Sequence, residues 1–148
     1  MRKRIAVFLV LLLFVSSTPV VAYDAEKETQ QINEDFYVES FITIENLSRA
    51  SGTVNGTKTK NYKSGNTIVF SVSVTGTFSY DGSHATCTNA TANASSKNTN
   101  WKIVSKNASK SGNTALATVT VNKCVNNVPV NTIKESVALS CDANGNLY

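Results

Sequence analysis

Few residues in this chain are equipped for chemistry. His84 is its single histidine, and it stands close to Asp81 and to neighbouring serines. A hydrolytic relay is made by geometry rather than adjacency, and no nucleophile motif accompanies these residues. His84 shares its expected strand face with Thr86 and Thr88 near a hairpin end, the setting of a solvated histidine. Glycoside hydrolysis needs two facing carboxylates. Beyond residue 45 the only acids are Asp81, Glu135 and Asp142, and Asp81 and Asp142 fall in turn-forming stretches. No catalytic residue, metal or cofactor is expected, and the chain is read as non-enzymatic.

Trp101, the only tryptophan, follows the polar stretch 95–100 and is the candidate ligand contact. On a loop edge its ring could stack on a sugar; at a strand start it would plug the core, the commoner use of a large aromatic in a small domain.

The three cysteines, Cys87, Cys124 and Cys141, allow one internal disulfide and leave one thiol over. Their spacings lack the paired-ligand pattern of a zinc site. Cys141 continues the apolar register of Ile133, Val137 and Leu139 and is expected to point inward. Cys124 follows Leu116, Thr118, Thr120 and Asn122, opposite the small apolar face of Ala115, Ala117, Val119 and Val121. The expected pair is therefore Cys87 with Cys141, closing a loop of about 55 residues worth about 4 kcal/mol in the chain-entropy account. The rival, Cys124 with Cys141, is worth about 3 kcal/mol on the same account, so loop length does not decide between them.

These residues need a scaffold, and the side-chain rhythm says which. Ile68, Phe70, Val72, Val74, Gly76, Phe78 and Tyr80 alternate with Val69, Ser71, Ser73, Thr75, Thr77 and Ser79. Only an extended chain sends alternate side chains to opposite faces, so residues 67–80 form a long strand. Asp81-Gly82 supplies a tight turn, and a strand over about 83–94 pairs back. Val38, Ser40, Ile42 and Ile44 alternate in the same way within 37–45. Further strands are expected near 50–54, 57–61, 101–107, 114–125 and 128–140, with hairpin turns at Asn55-Gly56 and Asn126-Asn127. Lys63-Ser64-Gly65-Asn66-Thr67 recurs as Lys110-Ser111-Gly112-Asn113-Thr114, read as one turn chemistry used at two equivalent corners. Seven or eight strands without helical spacing imply an all-β, antiparallel β-sandwich, immunoglobulin-like in size.

The two ends carry different signals. Met1-Arg2-Lys3-Arg4, an 11-residue apolar run from Ile5 to Val15, and a relaxed stretch to Ala22 have the three-part layout of a secretion signal. That run is short for a membrane span, which takes about 20 residues. The division expected is a signal peptide over 1–22, an acidic linker or short helix over 23–35, and a single β-sandwich domain over 36–148. The formal charge is +4. Loss of Arg2, Lys3 and Arg4 with the signal lowers it to about +1. Residues 23–45 hold seven acids against Lys27, whereas residues 46–148 hold ten Lys or Arg against three acids. An acidic arm beside a weakly basic body could draw anionic polymers, but the basic residues are scattered as on an ordinary solvated surface. They form no nucleic-acid recognition motif. Five Asn-x-Ser/Thr sites, at Asn46, Asn55, Asn89, Asn93 and Asn107, would carry glycans only in a eukaryotic secretory chain.

The short signal, the acidic leader, Lys-Ser-Gly-Asn-Thr before alternating strands, Ala-Thr-Cys-Thr at 85–88 and Leu-Ser-Cys-Asp-Ala-Asn-Gly at 139–145 together resemble small uncharacterised β-rich secreted proteins of Gram-positive bacteria. The resemblance covers most of the chain after the signal and implies bacterial origin and extracellular location; it brings no site and no activity. The expected function is binding at or near the cell surface, with a cell-wall or glycan polymer or a surface protein as partner, and with neither nucleic acid nor a stable membrane anchor. The alternative is a membrane-active or antagonistic secreted protein, pore-forming or bacteriocin-like, built on the hairpin of residues 67–95. The second strand of that hairpin places small and polar residues on both faces, a poor lipid-facing surface.

Overall fold

The computed structural model describes residues 27–33, 36–48 and 52–148, and the signal segment lies outside them. The described residues form eight antiparallel strands: β1 (Glu28–Asn33), β2 (Phe36–Ser48), β3 (Thr53–Ser64), β4 (Thr67–Tyr80), β5 (Ala85–Ser96), β6 (Trp101–Ser111), β7 (Thr114–Val125) and β8 (Val128–Ser140). Strands β1 to β5 make one sheet in chain order, and β6 to β8 make a second. The two sheets face each other as a β-sandwich, consecutive strands pairing within each sheet and the chain passing from one sheet to the other between β5 and β6.

The core follows from the alternation. Val72, Val74 and Phe78 of β4 face Ala115, Ala117 and Val121 of β7 and Val137 and Leu139 of β8, all fully buried. Small side chains on β7 leave room for the Phe78 ring. Gly76 completes the fit, because a Cβ there would stand 2.5 Å from that ring and 3.1 Å from Ala115 Cβ. The outer face of the larger sheet is a polar grid whose register aligns Thr43, Thr57, Thr75 and Thr91 across four strands.

Four turns do what their residues allow. Gly65 and Gly112 take positive φ of 55° and 54° in the repeated Ser-Gly-Asn corners, which connect β3 to β4 and β6 to β7. Asn126 and Asn127, with φ of 49° and 65°, close the β7–β8 hairpin in the left-handed region that asparagine tolerates. Asp81 organises the β4–β5 connection, its carboxylate accepting from the Ser83 and His84 amides at 2.9 and 2.8 Å.

Several expectations are corrected. Residues 28–33, expected as a linker or short helix, are strand β1, paired with β2 from Glu28↔Ser40 to Asn33↔Phe36. Asn55-Gly56 is no hairpin but the interior of β3, where pairing with both β2 and β4 holds the chain extended through a turn-prone dipeptide. Strict alternation also misassigns faces at two register shifts. In β4 the shift opposite Tyr62/Lys63 buries Val69 and leaves Ile68 36% exposed, the reverse of the simple alternation. In β5 the shift at Thr77/Phe78 leaves Thr88 unpaired, so Cys87 faces inward together with Ala90, Ala92 and Ala94. Cys124 is buried as well, yet it stands on the face opposite Val121 and outside the core cluster; the shift beside it adds Val130 to β8 and leaves the alternation of β7 unbroken. A bulge adds one residue to one strand and exchanges the faces beyond it.

The two ends of the sandwich differ. Beyond β8 the chain folds back: the amides of Ser140 and Tyr148 donate to each other's carbonyls at 3.0 Å, and Cys141 bridges Leu147. This strap covers the end near the β6–β7 corner. Leu147 lies against Gly56, where a Cβ would stand 2.3 Å from Leu147 Cδ1, and Gly145 lies against the Tyr80 ring. Among the described residues the opposite end has no such cover.

Candidate functional site

At the uncovered end, aromatic rings gather from both sheets. Phe36 begins β2, Tyr62 lies near the end of β3, Phe70 near the start of β4, and Trp101 begins β6. Tyr62 and Phe70 stack at 4.2 Å between centroids, Phe36 and Trp101 stack at 5.9 Å and 13°, and Phe70 tilts against Trp101 at 5.2 Å. Tyr62 and Phe70 are core residues, whereas Phe36 and Trp101 are half-buried and border a cleft of about 620 Å³. Polar groups line the same cleft: Ser64, Asn98, Asn131, Lys123 and Glu135.

Trp101 is held by its neighbours before any ligand arrives. Its amide donates to Asn98 O at 2.9 Å, and Asn98 Oδ1 accepts from the Asn100 amide at 2.9 Å. Ser96 Oγ accepts from the Asn98 amide at 3.2 Å and lies 2.9 Å from Val69 O, tying the turn to β4. On the other side, Asn100 O accepts from the Cys124 amide at 2.7 Å. Lys123 Nζ stands 5.8 Å from the Trp101 ring centroid, within cation–π range. Glu135 accepts a 2.6 Å hydrogen bond from Tyr62 Oη, a side-chain bond that crosses between the sheets. Burial, and then the Glu135 carboxylate, push the Tyr62 phenol well above its usual range. Among the described residues the site therefore carries one cation, one carboxylate already engaged, several amides and a preset aromatic platform.

Trp101 thus combines the two roles open to it, packing against the core while lining the cleft. Phe36, Asn98, Lys123 and Asn131 were not legible as site residues. They come from β2, a turn, β7 and β8, and no short-range pattern joins them.

The other candidate residues lie elsewhere. Asp81 and His84 sit in the exposed β4–β5 turn, where the carboxylate is occupied by backbone amides; the His84 amide, then the Ser83 amide, lower its pKa. Asp142 is held in the strap by Asn146 Nδ2 at 2.7 Å and by the Asn146 and Asn144 amides at 2.9 and 2.8 Å, with its pKa lowered chiefly by Asn146. Neither carboxylate faces Glu135 across a cleft. Among the described residues no three His, Cys, Asp or Glu side chains cluster as a metal site would require. Asn89, Asn93 and Asn107 are exposed on β5 and β6. All three cysteines are buried free thiols, so the expected Cys87–Cys141 disulfide is not formed in this structure. Among the described residues no helix is long and apolar enough to cross a membrane.

The class defined by this architecture is a two-sheet antiparallel β-sandwich with an aromatic cleft at one open end. No family model matches the chain, and comparison with curated proteins and with solved structures finds no significant match.

Proposed function

We propose that the protein is a secreted, non-enzymatic binding module that takes a carbohydrate chain at or near the cell surface in the Trp101 cleft. The observation that carries this reading is the Phe36–Trp101 stack at the border of a cleft furnished with Asn98, Asn131 and Ser64. A sugar ring offers an apolar face to an aromatic platform and hydroxyls to amides, and a few convergent polar groups in an apolar concavity are how small-ligand sites achieve orientation. With Lys123 and an engaged Glu135 as its charges among the described residues, the cleft suits a neutral glycan better than a polyanion. Secretion is supported by the layout of residues 1–22.

The test is retention of the purified protein on insoluble bacterial cell wall and on immobilised glycans. Wild type should be retained without turnover of the polymer. Trp101→Ala and Asn131→Ala should each weaken retention about tenfold or more, as loss of a stacking or hydrogen-bonding anchor does. Circular dichroism of both variants checks that the strands persist. Wild-type protein that washes off every wall and glycan would end this reading.

The membrane-active alternative requires the β4–β5 hairpin to leave the sandwich, which would strip Val72, Val74 and Phe78 out of the core. Leakage of dye from liposomes at low protein concentration would restore it.

A further inference from the structure

We infer that Cys87 and Cys141 are the disulfide pair of this protein, a staple between its two sheets at the end opposite the Trp101 cleft, with Cys124 as the permanent free thiol. The pairing rests on position and stands independently of the carbohydrate reading.

Cys124 is excluded by distance. It sits opposite Pro129 near one end of β7, while Thr114 at the other end of β7 pairs with Ser140, beside Cys141. Ten residues of strand separate these points, about 33 Å. Cys87 lies at the Cys141 end as well, because its amide donates to Gly112 O at 2.8 Å while the Cys141 amide donates to Asn113 O at 3.0 Å. One β6–β7 corner therefore receives both cysteine backbones. Disulfide formation needs Cα atoms within about 7 Å, a condition Cys124 cannot approach with either partner.

Both thiols belong to the same buried core, Cys87 being 4% exposed and Cys141 fully buried. The Cys141 thiol also senses its neighbour: burial, then Asp142, then Cys87 push it up to about 11. As thiols they rest on local carbonyls, Cys87 Sγ on Asn89 O at 3.2 Å and Cys141 Sγ on Asp142 O at 3.3 Å. Closing the bond exchanges these two weak contacts for one covalent link and draws the two segments together around the corner.

The chemistry is thiol–disulfide exchange with a low-molecular-weight disulfide such as oxidised glutathione. One cysteine thiolate attacks that disulfide, forming a mixed disulfide and releasing one thiol. The second cysteine thiolate attacks the protein sulfur of the mixed disulfide and releases the other thiol. Two cysteine thiols are oxidised and one external disulfide is reduced to two thiols. Burial of neutral thiols slows the reaction in the finished fold, so the bond forms while the chain is folding, before the strap seals this end.

The experiment refolds the full chain in mixed reduced and oxidised glutathione, alkylates free thiols under denaturing conditions, and maps peptides without reduction. The expected result is a Cys87–Cys141 cross-linked peptide with Cys124 alkylated. Reductant should then lower the melting temperature by on the order of 10 °C, as the loss of a closure of this length does in a domain of this size. Cys124→Ala should keep both the cross-link and that drop, whereas Cys87→Ala and Cys141→Ala should lose the sensitivity to reductant. Should the latter two fail to fold, the wild-type map and Cys124→Ala decide alone. Alkylation of all three cysteines, or Cys124 found in the bond, overturns the pairing.

Discussion

Tyr62 shows how one side chain serves both core and cleft. Its ring is buried in the aromatic stack while its hydroxyl reaches Glu135 on the opposite sheet at 2.6 Å. Tyr62→Phe keeps the ring and removes that bond, leaving a half-buried carboxylate that water can partly rescue. The expected cost is about 1–2 kcal/mol, read from urea unfolding. The same residue sets an alkaline limit. A group whose pKa is raised in the folded state favours folding below its unfolded value and loses that advantage as pH rises beyond it. With an ordinary phenol near 10.0, wild-type stability should decline above about pH 10, and Tyr62→Phe should reduce that component of the decline. An identical alkaline profile in the variant would show that Tyr62 is not its source. None of this was legible beforehand, since Tyr62 and Glu135 are 73 residues apart and nothing local marks either.

Among the elements, the strands most visible in the sequence are those whose alternation runs long between unambiguous turns. The expected 67–80, 114–125 and 128–140 coincide with β4, β7 and β8. The β7–β8 hairpin illustrates why, because Asn126 and Asn127 satisfy a two-residue turn that demands positive φ from both. Asn127→Ala should cost about 1 kcal/mol there, the penalty of a left-handed alanine, while Asn127→Gly should be neutral or stabilising. Paired thermal melts of the two variants separate this backbone effect from lost asparagine contacts, which both substitutions remove. Elements went unseen where local and tertiary preferences disagree. Asn55-Gly56 is turn chemistry that neighbouring strands override, and β1 is a polar edge strand without an apolar rhythm, held by its ladder to β2. The bulges form a third group. A period of two persists in the sequence on each side of Val69 and Thr88, but which residue is skipped depends on the strand opposite.

For the whole molecule, the asymmetry of the two ends is the property that matters. One end is closed by the strap, whose Leu147 reaches the floor made by Gly56, and among the described residues the other is open around Trp101. Leu147→Ala should therefore cost about 2 kcal/mol, the lower part of the range for truncating a partly buried leucine. Its effect on binding at the Trp101 cleft should be small, because the two lie at opposite ends. Chemical denaturation and retention on cell wall, measured on one preparation, test both halves of that statement; a variant that keeps its stability but loses retention would contradict it. By itself the sequence determined the all-β class, most strand limits and the turns at Gly65, Gly112 and Asn126-Asn127. These depend on φ preferences and on the alternation of neighbouring side chains, which are short-range properties of the chain. Tertiary structure alone decided the rest: the bulges at Val69 and Thr88, the burial of Cys124 outside the core cluster, and the company Trp101 keeps. A bulge is set by the facing strand and a cleft by the packing of two sheets, so neither leaves a mark within the few residues that a local pattern spans.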